Sequence, residues 1–327
     1  MRNLSAMPIL KDNYIPPVIF RNYHISTIYA AMFRRVSPVV QTRERLELAD
    51  EDFMDLDWSF AHSGPSKKVL VILHGLEGNA QRPYILGLAR YFNQNGWDVA
   101  ALNFRGCSGE INRLYNSYNA GASADLDLVI SHIIAKNKYG ILALNGFSLG
   151  GNLLLKYLGE GNLLPPQLKA AVAISTPCDL HGSVKKLGEP KNRIYSRRFV
   201  KKLKEQLSLR ERHFPEQLQK KSILGCKNLI SIDDLYTSKA HGFENALDYY
   251  KKSSALSFIP NISTPTLLIN AKNDSFLSAS SSPIKSAENN PDFYLEMPDY
   301  GGHVGFLQNK KQTYTEERAL EFIESFI

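Results

Sequence analysis

The stretch ILALNGFSLGGNLLLKYL, residues 141–158, constrains the fold of this chain more than any other. An apolar run from Ile141 to Asn145 meets Gly146-Phe147-Ser148-Leu149-Gly150, and a helical pattern follows. This is G-x-S-x-G set between a strand and a helix, the context that gives the motif its meaning. In so tight a turn, side chains two before and two after the serine would collide, so glycine stands on both flanks. The strained turn holds the Ser148 hydroxyl out at the end of a sheet. The motif occurs by chance in many chains; its placement here argues for a nucleophile.

The flanking pattern supplies the sheet. RERLELAD (43–50) and DLDWSFAH (55–62) alternate polar and apolar residues and read as an antiparallel hairpin at a sheet edge. From Gly64-Pro65 onward strands and helices alternate. KVLVIL (68–73) is a buried strand and 82–96 a helix closed by Gly96; WDVAALNF (97–104) is a strand and 124–137 a helix. The elbow strand, its helix and KAAVAIS (169–175) follow. Such alternation predicts an α/β class with a mostly parallel central sheet and helices on both faces. It breaks between about Pro177 and Ile259, a basic stretch without strand runs, and resumes with TPTLLINA (264–271), a short helix near 280–288, DFYLEM (292–297) and a last helix over 314–327. The predicted organisation is therefore a lead-in, 1–40, packed on the core; a core formed by 41–176 and 261–327; and a helical cap inserted at 177–260. Within the cap, Tyr195, Phe199, Val200, Leu203 and Leu207 recur at three-and-four spacing, as in an amphipathic helix with one face on the core.

The net charge of +7 hints at nucleic acid until it is located. Residues 185–221 hold thirteen Lys and Arg against four Asp and Glu, so this one segment is basic and the remainder slightly acidic. With no zinc-finger spacing or RNP-like sequence beside it, nucleic acid is not the expected partner. A solvated face is the ordinary explanation of such a segment; weak peripheral contact with an anionic membrane through the basic cap is the functional one. Mean hydropathy is −0.25, no apolar run reaches 18 residues, and the first residues lack the apolar core of a secretory signal. Cys107, Cys178 and Cys226 are an odd number without C-x-x-C spacing. They suit a reducing cytoplasm and argue against a disulfide framework or a zinc site.

A serine hydroxyl needs an adjacent base, and the base needs a third group to orient it. In parallel-sheet serine enzymes with this elbow, the chain order is Ser, acid, His. Asp274 follows TLLIN, and His303 lies in DYGGHVGF between the last strand and the last helix, so both fall where that topology requires. Asp274 could instead cap a helix, and Asp299, four residues before His303, is the rival acid. His74-Gly75-Leu76-Glu77-Gly78 follows the KVLVIL strand. There the Leu76 amide, with the Leu149 amide, is placed to bind a developing oxyanion, and His74 anchors the loop. FRGCSG (104–109) is expected to be a structural loop whose Arg105 secures neighbouring carbonyls beside an inert buried Cys107. Neither G-x-G-x-x-G nor a P-loop is present, so no nucleotide cofactor is inferred, and no metal. The acyltransferase signature His-x-x-x-x-Asp does not begin at His303, since Gln308 stands five residues on.

HGLEGN, NFRGCSGEINRLYNSYNAG, GFSLGGN, DDLYTSKAHGFENALDYYKKSSA and GGHVGF, in this order, resemble the YheT-like branch of the α/β-hydrolases, which includes medium-chain ester hydrolase/synthase and phospholipase-like relatives. The resemblance runs from about Tyr14 to the C-terminus. It implies the α/β-hydrolase fold, a Ser148, Asp274, His303 triad, and hydrolysis of carboxylic esters of short or medium acyl chain, lipid esters among them, without a cofactor. Where that family tends to have Asp-Asp-Pro around the acid, this chain has Asn273-Asp274-Ser275. An acyltransferase or ester synthase using the same acyl-enzyme, and a non-catalytic lipid-binding scaffold, are the competing expectations.

Overall fold

The computed structural model describes residues 8–327 and is built on one nine-stranded sheet. Its strands are β1 (Ile9–Leu10), β2 (Thr42–Glu47), β3 (Phe53–Ser59), β4 (Lys68–Leu73), β5 (Asp98–Asn103), β6 (Ile141–Phe147), β7 (Leu168–Ile174), β8 (Thr266–Ile269) and β9 (Phe293–Glu296), in the spatial order β1-β9-β8-β7-β6-β4-β5-β3-β2. The elbow strand β6 is thus the middle one. All neighbours pair in parallel except β3 with β5 and β2 with β3.

Why the central strands are uninterrupted apolar runs is plain from their two faces. Val69, Val71 and Leu73 of β4 point into one hydrophobic layer, while Leu70 and Ile72 point into the other. The first layer is closed by the helices α1 (Ser123–Ala135) and α2 (Leu149–Gly159), through residues such as Val129, Ile133, Leu153 and Leu154. Helices over Pro83–Gln94 and Tyr314–Glu324 close the second, through Leu88, Phe92, Phe322 and Ile323. A strand covered on both sides has no polar side to show, so period-two alternation disappears.

The edge hairpin obeys the opposite rule. Arg43 and Arg45 of β2 stand directly across from Asp57 and Asp55 of β3 and bind them with two hydrogen bonds each, between 2.7 and 3.0 Å. Facing opposite charges fix the register, and the charged edge discourages pairing with another chain. At the other edge the lead-in joins the sheet. β1 pairs in parallel with β9, Ile9 opposite Leu295. Tyr14 is buried and donates to the Leu307 carbonyl at 2.9 Å. A helix over Tyr23–Ile28 continues as a wider turn over Tyr29–Phe33. Residues 1–7 of the predicted lead-in lie outside the described residues.

Between β7 and β8 the chain forms helices and turns, with no strand from 177 to 260. The longest helix, α3 here (Arg193–Glu211), buries Val200 and Leu207 against Leu218, Ile223 and Ile232, a small apolar core separate from the two sheet layers. Arg210 turns inward from the basic stretch and donates to the carbonyls of Leu114 and Tyr115 at 2.7 and 2.9 Å, tying this insertion to the loop after β5.

Arg105 departs from its expected role: it binds carboxylates, not carbonyls. Its guanidinium takes both oxygens of Asp125 at 2.9 Å, Asp50 at 2.8 Å and Asp52 at 3.2 Å. The side chain of Asp52 is 0% exposed. Deleting the cation leaves the buried Asp52 carboxylate without its counter-charge, which is far more costly than losing a surface pair. Arg105→Ala is therefore expected to lower the free energy of unfolding by about 3 kcal/mol, read as a shifted urea midpoint at constant slope.

Candidate active site

Three loops at the carboxyl ends of β6, β8 and β9 build the site. At the first, Ser148 has φ +51°, a left-handed conformation that a non-glycine residue adopts only when its surroundings impose it. Here they do. A Cβ on Gly146 would lie 2.5 Å from the Gly150 carbonyl oxygen, and one on Gly150 would lie 2.5 Å from the His74 carbonyl oxygen. The Ser148 amide donates to the Ile174 carbonyl of β7 at 2.8 Å, and the amides of Gly151 and Asn152 start α2 by donating to the Ser148 carbonyl.

The Ser148 hydroxyl lies 2.9 Å from His303 Nε2, and His303 Nδ1 lies 2.8 Å from Asp274 Oδ2. The Asp274 side chain is fully buried, and its second oxygen accepts the Phe276 amide at 2.9 Å. The structure thus brings together all three residues of the expected triad. Asp299 does not join them: its carboxylate is 70% exposed and pairs with Lys272 at 2.8 Å. Asp274 is no helix cap either, because its oxygens are spent on His303 and the turn at Phe276.

The imidazole and the loop that carries it are held by several elements. Phe276 stacks on it with ring centres 4.3 Å apart, and Tyr195 of α3 meets Phe276 edge-on at 4.7 Å. The His303 amide donates to Thr27 Oγ1 at 2.8 Å, the Gly302 amide to Asn273 Oδ1 at 2.9 Å, and the Val304 amide to Ser175 Oγ at 2.9 Å. Ser26 donates to the Gly301 carbonyl at 3.0 Å. These supports were not foreseen from sequence. A signal existed for Ser26 and Thr27: Asn22 caps their helix, its side chain accepting the amides of His24 and Ile25. Asn273 and Ser275, which replace the family's stiffer pattern, are themselves tied down, Asn273 also to the Arg21 carbonyl and Ser275 to Asn192 Oδ1 at 2.7 Å.

Leu76 and Leu149 line the same cavity as Ser148 and His303. On either side of Leu76, the Gly75 amide donates to the Tyr84 hydroxyl and the Glu77 amide to the Tyr118 hydroxyl, each at 3.1 Å. The Leu76 and Leu149 amides have no acceptor among the described residues. The cavity measures about 620 Å³. It is walled by apolar side chains from the sheet loops and by Leu187, Phe199 and Leu203 from the insertion. The apolar side of α3 therefore faces inward, onto this cavity and the small core around Leu218 and Ile223, and Cys107 lies half-buried in the cavity wall rather than sealed away. Sequence reasoning also passed over Glu77, whose carboxyl lines the cavity, is raised by burial, and accepts the Tyr118 hydroxyl at 3.1 Å.

A family model described as alpha/beta hydrolase fold matches residues 68–310. The Escherichia coli protein YheT, whose name gives esterase as a provisional description, is 34% identical over 96% of this chain and 94% of its own. The chain belongs to the α/β-hydrolase family, of the esterase/lipase type. Other family members similar to it are human phospholipase ABHD3, 26% identical over 98% of this chain and 80% of its own. A Saccharomyces cerevisiae protein named medium-chain fatty acid ethyl ester synthase/esterase 2 is 27% identical over 79% of this chain and 62% of its own. Among solved structures, Pyrococcus furiosus esterase Pf2001 superposes with a TM-score of 0.59 at 15% identity, covering 91% of this chain and 97% of its own, and so shares the fold.

His74 is fully buried, with Nδ1 2.8 Å from the Gly75 carbonyl and Nε2 accepting the Phe104 amide at 3.3 Å. Burial pushes its pKa down to about 4, so it stays neutral and anchors the loop that carries Leu76. An unfolded chain takes up this proton near pH 6.5, but the folded chain waits until about pH 4. Between those values the unfolded state binds more protons, so stability falls as pH falls. The stability advantage of wild type over His74→Asn is expected to shrink by about 3 kcal/mol across that window, measured by urea unfolding at a series of pH values.

Proposed function

We propose that this protein is a serine carboxylic-ester hydrolase that works through an acyl-enzyme and accepts esters of short or medium acyl chain. The observation that carries this reading is the hydrogen-bonded chain from Ser148 through His303 to Asp274, opening on an apolar cavity beside two unengaged amides. In the first half-reaction, Ser148 Oγ attacks the acyl carbonyl while His303 Nε2 takes its proton. The carbonyl oxygen becomes an oxyanion held by the Leu76 and Leu149 amides. As the tetrahedral species collapses, the C–O bond to the alcohol breaks and His303 returns the proton to the departing oxygen. Water repeats the sequence on the acyl-serine and releases the acid. Asp274 fixes the imidazole tautomer and stabilises its cation. Beyond the ester and water, each step uses only groups of the chain itself.

The cavity volume falls within the range of about 300–1,000 Å³ usual for sites that enclose a small molecule, and its apolar walls suit an acyl chain. The family supports an ester as substrate. Transfer to an alcohol in place of water uses the same acyl-serine, and the yeast relative named both synthase and esterase favours keeping that second outcome in view. Product ratios at rising alcohol concentration separate the two.

The protein should label with a fluorophosphonate, and Ser148→Ala should not. Ser148→Ala is expected to cost about 10⁶ in turnover of p-nitrophenyl esters. Asp274→Asn should cost roughly 10⁴, by favouring the wrong imidazole tautomer, while Asp299→Asn should be mild. Unlabelled wild type, or a Ser148→Ala variant as active as wild type, overturns the reading; reversal of the two Asp variants moves the acid to Asp299. A series from acetyl to palmitoyl esters fixes the acyl preference.

A further inference from the structure

Seventeen large apolar side chains are exposed on the described residues, and seven of them fall within the nineteen residues 15–33. Ile15 and Val18 are 78% and 77% exposed, and Ile19, Met32 and Phe33 all exceed half. Such crowding on one short segment is not the scatter of single exposed residues that soluble surfaces ordinarily carry. The segment is also rigidly placed. Beneath it, Ser26 and Thr27 are buried against the His303 loop and Ala30 is buried beside them, while Ile25, Tyr29 and Met32 recur at four-and-three spacing on the outward side. Phe20, Tyr29 and Phe33 form a row of rings with centres 5.1 and 6.3 Å apart.

This patch borders the mouth of the cavity. Ile28, Ala31 and Met32 form part of its wall, and Arg198 and Leu209 of α3, both exposed, form another part. His24 and Tyr195 join the two elements through a 2.9 Å hydrogen bond. The outward stripe of α3 reads Ile194, Arg197, Arg198 and Lys201, again at helical spacing, with Ile194 74% exposed. Among the described residues, Arg35, Arg193, Arg197 and Arg198 have no carboxylate within ion-pair distance, and Lys201 has only Glu205 at 3.9 Å. Apolar side chains flanked by unpaired cations, all facing outward around one opening, form a surface complementary to an anionic lipid interface.

We propose that residues 15–33 and the outer stripe of α3 form a single docking face for an anionic bilayer, seating the cavity mouth at the lipid surface. The apolar side of α3 has no part in it, because that side faces the cavity and the small core around Leu218 and Ile223. No helix among the described residues is long and apolar enough to cross a membrane, and the proposed face lies along the bilayer surface. A second copy of the chain fits the face poorly: a two-fold contact sets the same patch against itself, placing Arg197 and Lys201 near their own images. The proposal rests on the ester-hydrolase reading only for what docking delivers; binding itself is independent of it.

Vesicles of phosphatidylcholine alone, and of an equal mixture with phosphatidylglycerol, test the proposal by co-sedimentation, using the intact protein and its Ser148→Ala variant. Both proteins should bind the anionic vesicles more tightly. Arg197→Glu/Lys201→Glu should weaken that binding by at least about tenfold, and about 0.5 M salt should do likewise by shortening the Debye length. Ile19→Asp/Phe33→Asp should weaken binding to both vesicle types. Neither double variant touches the cavity wall, so hydrolysis of a soluble p-nitrophenyl ester should be unchanged, and thermal melts verify folding. Binding indifferent to lipid charge and to both double variants overturns the proposal. So does a stable dimer that Ile19→Asp/Phe33→Asp dissociates while no vesicle binding is seen. Loss of soluble-ester turnover in wild type with vesicle binding intact would strike at the hydrolase reading alone.

Discussion

The start of α2 rests directly on the end of β4, and most of the site depends on that contact. Gly150 lies so near the carbonyls of Leu73 and His74 that no side chain fits between them. This close approach holds Ser148 in its left-handed conformation. It also sets the distance between the two loops that carry the Leu76 and Leu149 amides. Ser148 and the two amides proposed to hold the oxyanion are thereby fixed by one backbone contact at the middle of the sheet. Rigid placement of this kind is what lets such donors act without reorganising when charge develops.

The imidazole is positioned by a different principle. Its loop is not part of a strand or helix, and its amides find partners scattered along the chain: Thr27, Ser175 and Asn273. Side-chain oxygens do the work that a regular ladder does elsewhere. Aromatic packing adds a second constraint, running from Tyr195 through Phe276 to His303. Because Tyr195 belongs to the inserted helices, the orientation of the imidazole is coupled to the position of α3.

Core strands, the elbow, and the residues that meet at Ser148 were legible in the sequence because each leaves a local mark: an apolar run, a pair of glycines, a chain order imposed by topology. What escaped had no local mark. β1 contains two residues, too few to show a period. Ser26 and Thr27 look like any polar pair until the loop they support is in place. Arg105 could be seen to be structural, but its carboxylate partners come from the turn at Asp50 and Asp52 and from Asp125 of α1, brought together only by folding. The amphipathic pattern of α3 gave its helix and its apolar residues correctly, yet a pattern cannot say whether that apolar side meets core, cavity or lipid.

The pairing of β1 with β9 joins residues 9–10 to residues 295–296, and the supports from Ser26 and Thr27 span almost as much of the chain. Contacts so distant in sequence form late, since the loop they close must first lose its freedom. During synthesis the N-terminal segment emerges first and waits for nearly the whole chain before its binding surface exists. The elbow and its neighbouring strands can already be assembled while His303 is still inside the ribosome. The Ser148 turn can therefore form before His303 stands beside it, and the contact between the two is completed only when the last strand is laid down and the first residues return to support the His303 loop.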